Sequence, residues 1–223
     1  MSTKTKRTAA PKLDVEAVSR QPLQGRSKAS FERMLGAARE LMLETGSEDF
    51  TLLEVSGRGN VSIGSIYLRF ESKENLVRAV IASSLEDVAR DEAAMIAHVR
   101  AKARSLDQFV PRYVEGYAEV LREHAPLLNL SMQRASHDAL VSEPGKAHAL
   151  ASAAAAAAAM LEFKGEIAGR DPAMKANSAY HVIFATLARE LSLGTSRESA
   201  MGYDWSLLKR ELGRMCLAYL KAA

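Results

Sequence analysis

An all-α fold is predicted by three features of this 223-residue chain. Ala, Leu, Glu, Lys and Arg are abundant, aromatics make up only 6% and there are 6 prolines, a composition that favours helices over strands. Apolar residues recur at three- and four-residue spacing along most of the chain, the period of one helical face. Helix-start signals punctuate those runs: a T-x-x-E box at Thr51–Glu54 and an Asp-Pro pair at Asp171–Pro172. With 48% hydrophobic and 26% charged residues the chain can bury a sizeable core. No apolar run approaches the roughly 20 residues that cross a bilayer, so no membrane partner is expected. The N-terminus is basic but has no apolar segment behind it, which excludes a secretory signal. Cys216 is the only cysteine, cannot form an internal disulfide, and fits a reducing compartment; the expected location is the cytoplasm. The net charge of +3 permits an acidic partner without demanding one.

Residues 1–26 contain Pro11 and Pro22, lack an apolar period and carry more Lys and Arg than Asp and Glu, so they read as a flexible basic arm. Ser27–Thr45 is the first helix, with Phe31, Met34, Leu35, Ala38, Leu41 and Met42 on one face and Gly46 as its stop. Thr51 and Glu54 open the second, flanked by Phe50 and Val55 at staple positions, and it runs to about Arg58. Gly59-Asn60-Val61 is a turn in which Asn60 takes a left-handed conformation. Ser62 caps a third helix, Ile63 to Phe70, with Val61 and Ile66 inward and Tyr67 and Phe70 anchoring its end. Ser72 caps a fourth, extending to about Lys102 through Leu76, Val80, Ile81, Leu85 and Val88. A fifth starts at Ser105 or Asp107, with Pro111 in its first turn, and Pro126 opens a separate short helix to about Leu140. The alanine-rich stretch within 143–169 reads as helix, as do 172–193, with Val182 and Ile183 inward, and 204–220; a loop joins the last two.

Two short helices around a tight turn, Thr51–Phe70, have the form of a helix-turn-helix. Such a motif reads DNA by placing a slim second helix in the major groove. Gly64 and Ser65 keep the leading face slim, while Tyr67 and Lys73 offer a hydroxyl and a charge where phosphates would lie. Ile63 and Leu68 are apolar for a groove-facing helix but suit a thymine methyl or a sugar. Lys28, Thr51, Ser62 and Arg69 complete the candidate DNA-binding set.

The run VSIGSIYLRFESKENLVRAV resembles the DNA-binding region of TetR-type (tetracycline-repressor-like) bacterial transcription regulators. Matching positions are Val61, Ser62, Gly64, Tyr67, Phe70, Ser72, Lys73, Glu74 and Leu76, and the resemblance covers about residues 27–81. Ser56, Gly59 and Asn60 depart from the pattern, the first two in a way expected to loosen the second helix. The resemblance implies an N-terminal three-helix DNA-binding domain over 27–71 and a C-terminal helical domain over 72–223. It further implies that the latter binds a small-molecule effector and pairs two chains through its last two helices, about 172–193 and 204–220. The implied function is a dimeric, effector-released repressor on a palindromic operator of double-stranded DNA.

For the effector, Tyr113, Tyr117, Gln133, Arg134 and His137 are pocket candidates, because they add polar groups to apolar helices. The five histidines are scattered without metal-ligand spacing, so neither metal nor other cofactor is expected. No nucleophile elbow, phosphate loop or paired-carboxylate motif appears, and no catalytic residue is assigned. Two rival readings remain. One is a DNA-binding or interaction module without an effector, favoured by a filled core among residues 73–169. The other is a helical enzyme or carrier, favoured by turnover.

Overall fold

A computed structural model describes residues 25–193 and 203–223, together with Ser19. Among these residues there are eight α-helices and no strands. They are α1 (Gly25–Thr45), α2 (Leu52–Arg58), α3 (Ile63–Arg69), α4 (Lys73–Lys102), α5 (Leu106–Ala135), α6 (Ala139–Leu161), α7 (Pro172–Glu190) and α8 (Trp205–Lys221). The predicted basic arm, up to Gln24, and most of the loop before Tyr203 lie outside the described residues.

The local start signals operate as read. Thr51 and Glu54 form a reciprocal capping box, Ser62 accepts from the Ser65 amide, and Asp171 accepts from the Met174 amide; Asp204 caps the last helix in the same way, through the Leu207 amide. Prolines were the misleading signal. α5 passes unbroken through Pro111 and Pro126, and the expected separate helix at 127–140 does not exist. An interior proline costs about 3 kcal/mol, but each fully buried large apolar side chain returns about 1.5–3 kcal/mol. Leu121, Ala125 and Leu128 keep one buried face running across Pro126, so burial outweighs the lost hydrogen bond. The chain breaks instead at Ser136–Asp138, and Asp138 opens α6 by accepting from the Leu140 amide at 3.1 Å. Inwardness was also misjudged at Val182, which is 52% exposed and lies in no core of this chain.

The helices divide into two compact units, each with its own interior. The first comprises the described residues up to Ser83 together with Arg134–Ala147; the second comprises Ser84–Gln133 and His148 onward. The division expected at 71/72 thus falls inside the first unit. In the second, Phe109, Tyr113 and Tyr117 recur every four residues on α5 and stack at centroid spacings of 5.8 and 5.5 Å. Tyr117 meets Tyr180 of α7, hydroxyl to hydroxyl at 3.2 Å. Glu92 is buried there and accepts a hydrogen bond from the Ser152 hydroxyl of the alanine-rich helix. Burial pushes its carboxyl up, against the opposing pull of Ser152, His148 and His124.

The first unit is tied together by a buried ionic cluster. Asp138 Oδ2 accepts from Arg78 Nε at 2.8 Å and from Arg134 Nε at 2.9 Å. Arg134 Nη1 also donates to Glu48 Oε2 at 2.6 Å, and Arg78 Nη1 to Asn75 Oδ1 at 2.9 Å. The α5–α6 corner is thereby fixed to the start of α4 and to the α1–α2 connection. Burial alone would raise the Asp138 carboxyl, but the hydrogen bonds from Arg78 and Arg134 outweigh it and hold it below the usual aspartate range.

Removing one partner of a buried ion pair strands the other, at a typical cost of about 3–5 kcal/mol. Arg134→Ala is therefore expected to lower stability by about 3 kcal/mol in urea unfolding at neutral pH. Because the folded Asp138 pKa is depressed, its contribution is complete above the unfolded value and is lost as pH falls through the folded one. Wild-type protein should thus lose more stability than Asp138→Asn between pH 6 and about pH 3. Equal losses in urea midpoints would contradict the assignment.

Candidate nucleic-acid interface

The candidate interface is built from its hidden side. Val55 of α2, Ile66 of α3 and Phe70 beyond it are fully buried. Phe70 stacks on Phe31 of α1 with ring centroids 5.5 Å apart and 18° between planes. These contacts fix the orientation of α3, a seven-residue helix that would not be stable alone.

The turn before α3 is locked by residues that looked like weaknesses. Ser56 donates its hydroxyl to the Val61 carbonyl at 2.6 Å, while the Val61 amide donates back to the Ser56 carbonyl at 3.1 Å. Asn60 has φ +47°, the left-handed value the turn requires. Gly59 ends α2 where a Cβ would lie 3.1 Å from both the Arg33 and Val55 carbonyl oxygens. Arg33 closes the same contact by donating Nε to the Gly59 carbonyl at 3.1 Å. Ser56 therefore ties α2 to the turn and Gly59 lets α2 close on α1, rather than loosening it.

Held this way, α3 presents Ile63 (38% exposed), Gly64, Tyr67 (58%) and Leu68 (59%) outward, with Ser65 and Arg69 partly exposed. Ser62 is exposed, but its hydroxyl accepts from the Ser65 amide and pairs with the Ser65 hydroxyl at 2.7 Å. Thr51 is likewise exposed with its hydroxyl engaged by Glu54. Lys73, at the start of α4, extends its ammonium over the Phe50 ring at 4.7 Å, a cation–π contact that aims the side chain. Lys28 lies exposed on α1, 4.0 Å from Glu32. Arg58, a plausible cation by position, is turned to Glu44 and Glu40 instead.

The tetR-family profile of bacterial regulatory proteins matches residues 34–80, the stretch that contains this geometry. Those residues are similar to the helix-turn-helix region of TetR-family regulators. The whole fold agrees. A TetR-family regulator of Mesorhizobium loti shares 18% identity at a TM-score of 0.71, with 88% of this chain and 98% of that one covered. One from a Rhodococcus species shares 16% at 0.58, covering 86% and 99%. PfmR of Thermus thermophilus shares 15% at 0.58, covering 83% and 97%. At these identities the likeness is one of fold. None of the curated proteins matches the sequence. The likeness is thus to a bacterial regulator's DNA-binding region over residues 34–80, and to a fold over the rest of the chain.

Of the five residues expected to line an effector pocket, Tyr113, Tyr117 and Gln133 belong to the second unit and Arg134 and His137 to the first. Tyr113 and Tyr117 are 1% and 2% exposed within the aromatic stack of the second unit. Arg134 belongs to the first unit and is spent on Glu48 and Asp138. Gln133 and His137 are exposed. A polar group on an apolar helix does not by itself distinguish a pocket from a paired core residue, and pairing prevailed here. The second unit does have a solvent-open groove of about 480 Å³, lined by Met95, His98, Val99, Lys102, Pro111, Arg112, Glu115 and Gly116. Its α4 and α5 positions were not singled out by any motif. Cys216 is buried, which pushes its thiol up to about 11 and keeps it protonated. Among the described residues no group of three His, Cys, Asp or Glu is placed to hold a metal, and no helix is long and apolar enough to cross a membrane.

Overpacking a tight backbone contact typically costs about 1–3 kcal/mol. Gly59→Ala is expected to fall in that range, because the clashing atoms are carbonyl oxygens and cannot rotate away. A urea midpoint equal to or above that of the wild type would refute this account of the turn.

Proposed function

We propose that this regulator is a ligand-responsive repressor that binds a palindromic operator as a homodimer in the cytoplasm. The observation that carries the DNA reading is the two-sidedness of α3. Its Ile66 face is completely buried, while Ile63, Gly64, Tyr67 and Leu68 stand in solvent on a slim helix. In this reading Ile63, Ser65 and Leu68 meet base edges, and Thr51, Ser62, Tyr67, Arg69, Lys73 and Lys28 face phosphates. The amide ends of α3 supply further donors.

Pairing of two chains is supported by apolar side chains left in solvent on the last two helices. Met174 and Val182 of α7 and Met215 and Tyr219 of α8 are 52%, 52%, 59% and 40% exposed. A two-fold pairing would set two α3 helices about 34–36 Å apart, one turn of DNA. Ligand response is supported by the solvent-open groove between α4 and α5, which has the volume of a small-molecule site. One helix links the two functions: α4 carries Lys73 at its start and Met95 and Val99 of the groove wall further along. A ligand that favours one position of α4 shifts operator affinity by its differential binding, typically about 1–3 kcal/mol.

Operator fragments selected from genomic DNA with the purified chain test this reading. Lys73→Ala should weaken binding to every selected fragment and reduce the salt slope by about one unit. Ser65→Ala and Ile63→Ala should instead redistribute sequence preference. A uniform loss from all three would contradict the division between phosphate and base contacts. For assembly, Val182→Glu and Met215→Glu should each convert a dimer to a monomer in sedimentation velocity. A dimer unaffected by both would move the interface elsewhere.

A further inference from the structure

The groove between α4 and α5 has a distribution of charge that selects a ligand class. Its floor is apolar, from Met95, Val99 and Pro111. It stays open because position 116 is glycine: a Cβ there would lie 2.7 Å from Met95 Cγ. Its volume of about 480 Å³ lies within the range of about 300–1,000 Å³ usual for small-molecule sites. The rim is ionic and unbalanced. Among the described residues His98 and Lys102 make no hydrogen bond or ion pair, and Arg112 donates only to the Gln108 carbonyl of its own helix, at 2.8 Å. The one acidic rim group, Glu115, is already matched by Lys209 of α8, whose ammonium lies 2.5 Å from its carboxylate. The mouth thus offers two uncompensated cations and an imidazole above an apolar floor.

From this juxtaposition we infer that the groove takes an amphipathic monocarboxylate, with its hydrocarbon chain against Met95, Val99 and Pro111 and its carboxylate at Lys102 and Arg112. This deepens the ligand-responsive reading above and rests on it. Burial of the chain supplies most of the affinity, because apolar burial scales with area. The exposed ion pairs are individually weak and set the sign of the accepted charge.

The test is isothermal titration of the full-length protein with sodium decanoate and, separately, decylammonium chloride. The wild type should bind decanoate saturably, at one site per chain and about tenfold more tightly than decylammonium. Lys102→Gln with Arg112→Gln should erase that preference, with the helical circular dichroism and melting temperature retained, since both side chains are exposed. Gly116→Ala, which drives Met95 toward the groove, should weaken decanoate and decylammonium together. Non-saturable uptake, equal affinity for the two amphiphiles in the wild type, or an unchanged preference in the double variant would each overturn the inference. Should Gly116→Ala fail to fold, the charge variants alone decide. Selection of operator fragments with the same preparation reports separately on DNA binding. Decanoate binding without any selected fragment sinks the regulator reading and leaves the site; selected fragments without decanoate binding do the reverse.

Discussion

The Asp138 carboxylate is the group on which the first unit depends. It accepts from Arg78 and Arg134 through one oxygen and from the Leu140 amide through the other, at 2.8–3.1 Å. Desolvating three charged groups is expensive, and apolar residues of the same size often serve stability as well or better. What they cannot supply is direction. Each guanidinium donates Nε to Asp138 and Nη1 to a second residue, which fixes its distance and angle together, whereas a methyl contact tolerates sliding. Through Arg134 and Glu48 that alignment reaches the connection preceding α2, and through Arg78 and Asn75 it reaches the first turns of α4. The α5–α6 corner is thus part of the scaffold that presents α3, although it lies more than fifty residues further along the chain.

The same division between cheap exposure and costly order governs α3. Seven residues cannot sustain a helix in water, so α3 is held by what it hides: Ile66, the Phe70–Phe31 stack and the Ser62 cap. Its exposed side is then free of structural duty and can be chosen for a partner. Leu68 and Ile63 would be liabilities on an isolated surface, and their exposure on a short, rigidly held helix is what a groove-reading element requires. Ser62 and Thr51 show the limit of that freedom. Their hydroxyls are partly committed to capping, so DNA contacts from them would come through remaining lone pairs or neighbouring amides.

What was legible in the sequence was local. The caps at Thr51, Ser62 and Asp171, the left-handed Asn60 and the inward set of α1 all follow from neighbours within four residues. What was not legible was pairing at a distance. Arg134 finds Glu48 across 86 positions and Asp138 finds Arg78 across 60, so no spacing rule could distinguish a clamp from a pocket lining. Ser56 and Gly59 were misjudged for the same reason. Measured against α2 alone they are poor helix formers, but the carbonyl and the α1 backbone they meet belong to other segments. Pro126 was over-read because a local cost was set against no tertiary gain.

Two buried carboxylates respond to their surroundings in opposite directions, and the contrast separates the two units chemically. Asp138 has two guanidinium partners and is held in its charged form; Glu92 has a hydroxyl and more distant imidazoles and is pushed toward its neutral form. Charging Asp138 stabilises the first unit, and charging Glu92 opposes the folding of the second. The second unit also contains the Ala-rich helix, whose small side chains contribute little apolar area per residue, and the open space between α4 and α5. One helix carries both environments: α4 holds Arg78, which donates to Asp138, and Glu92, which accepts from Ser152.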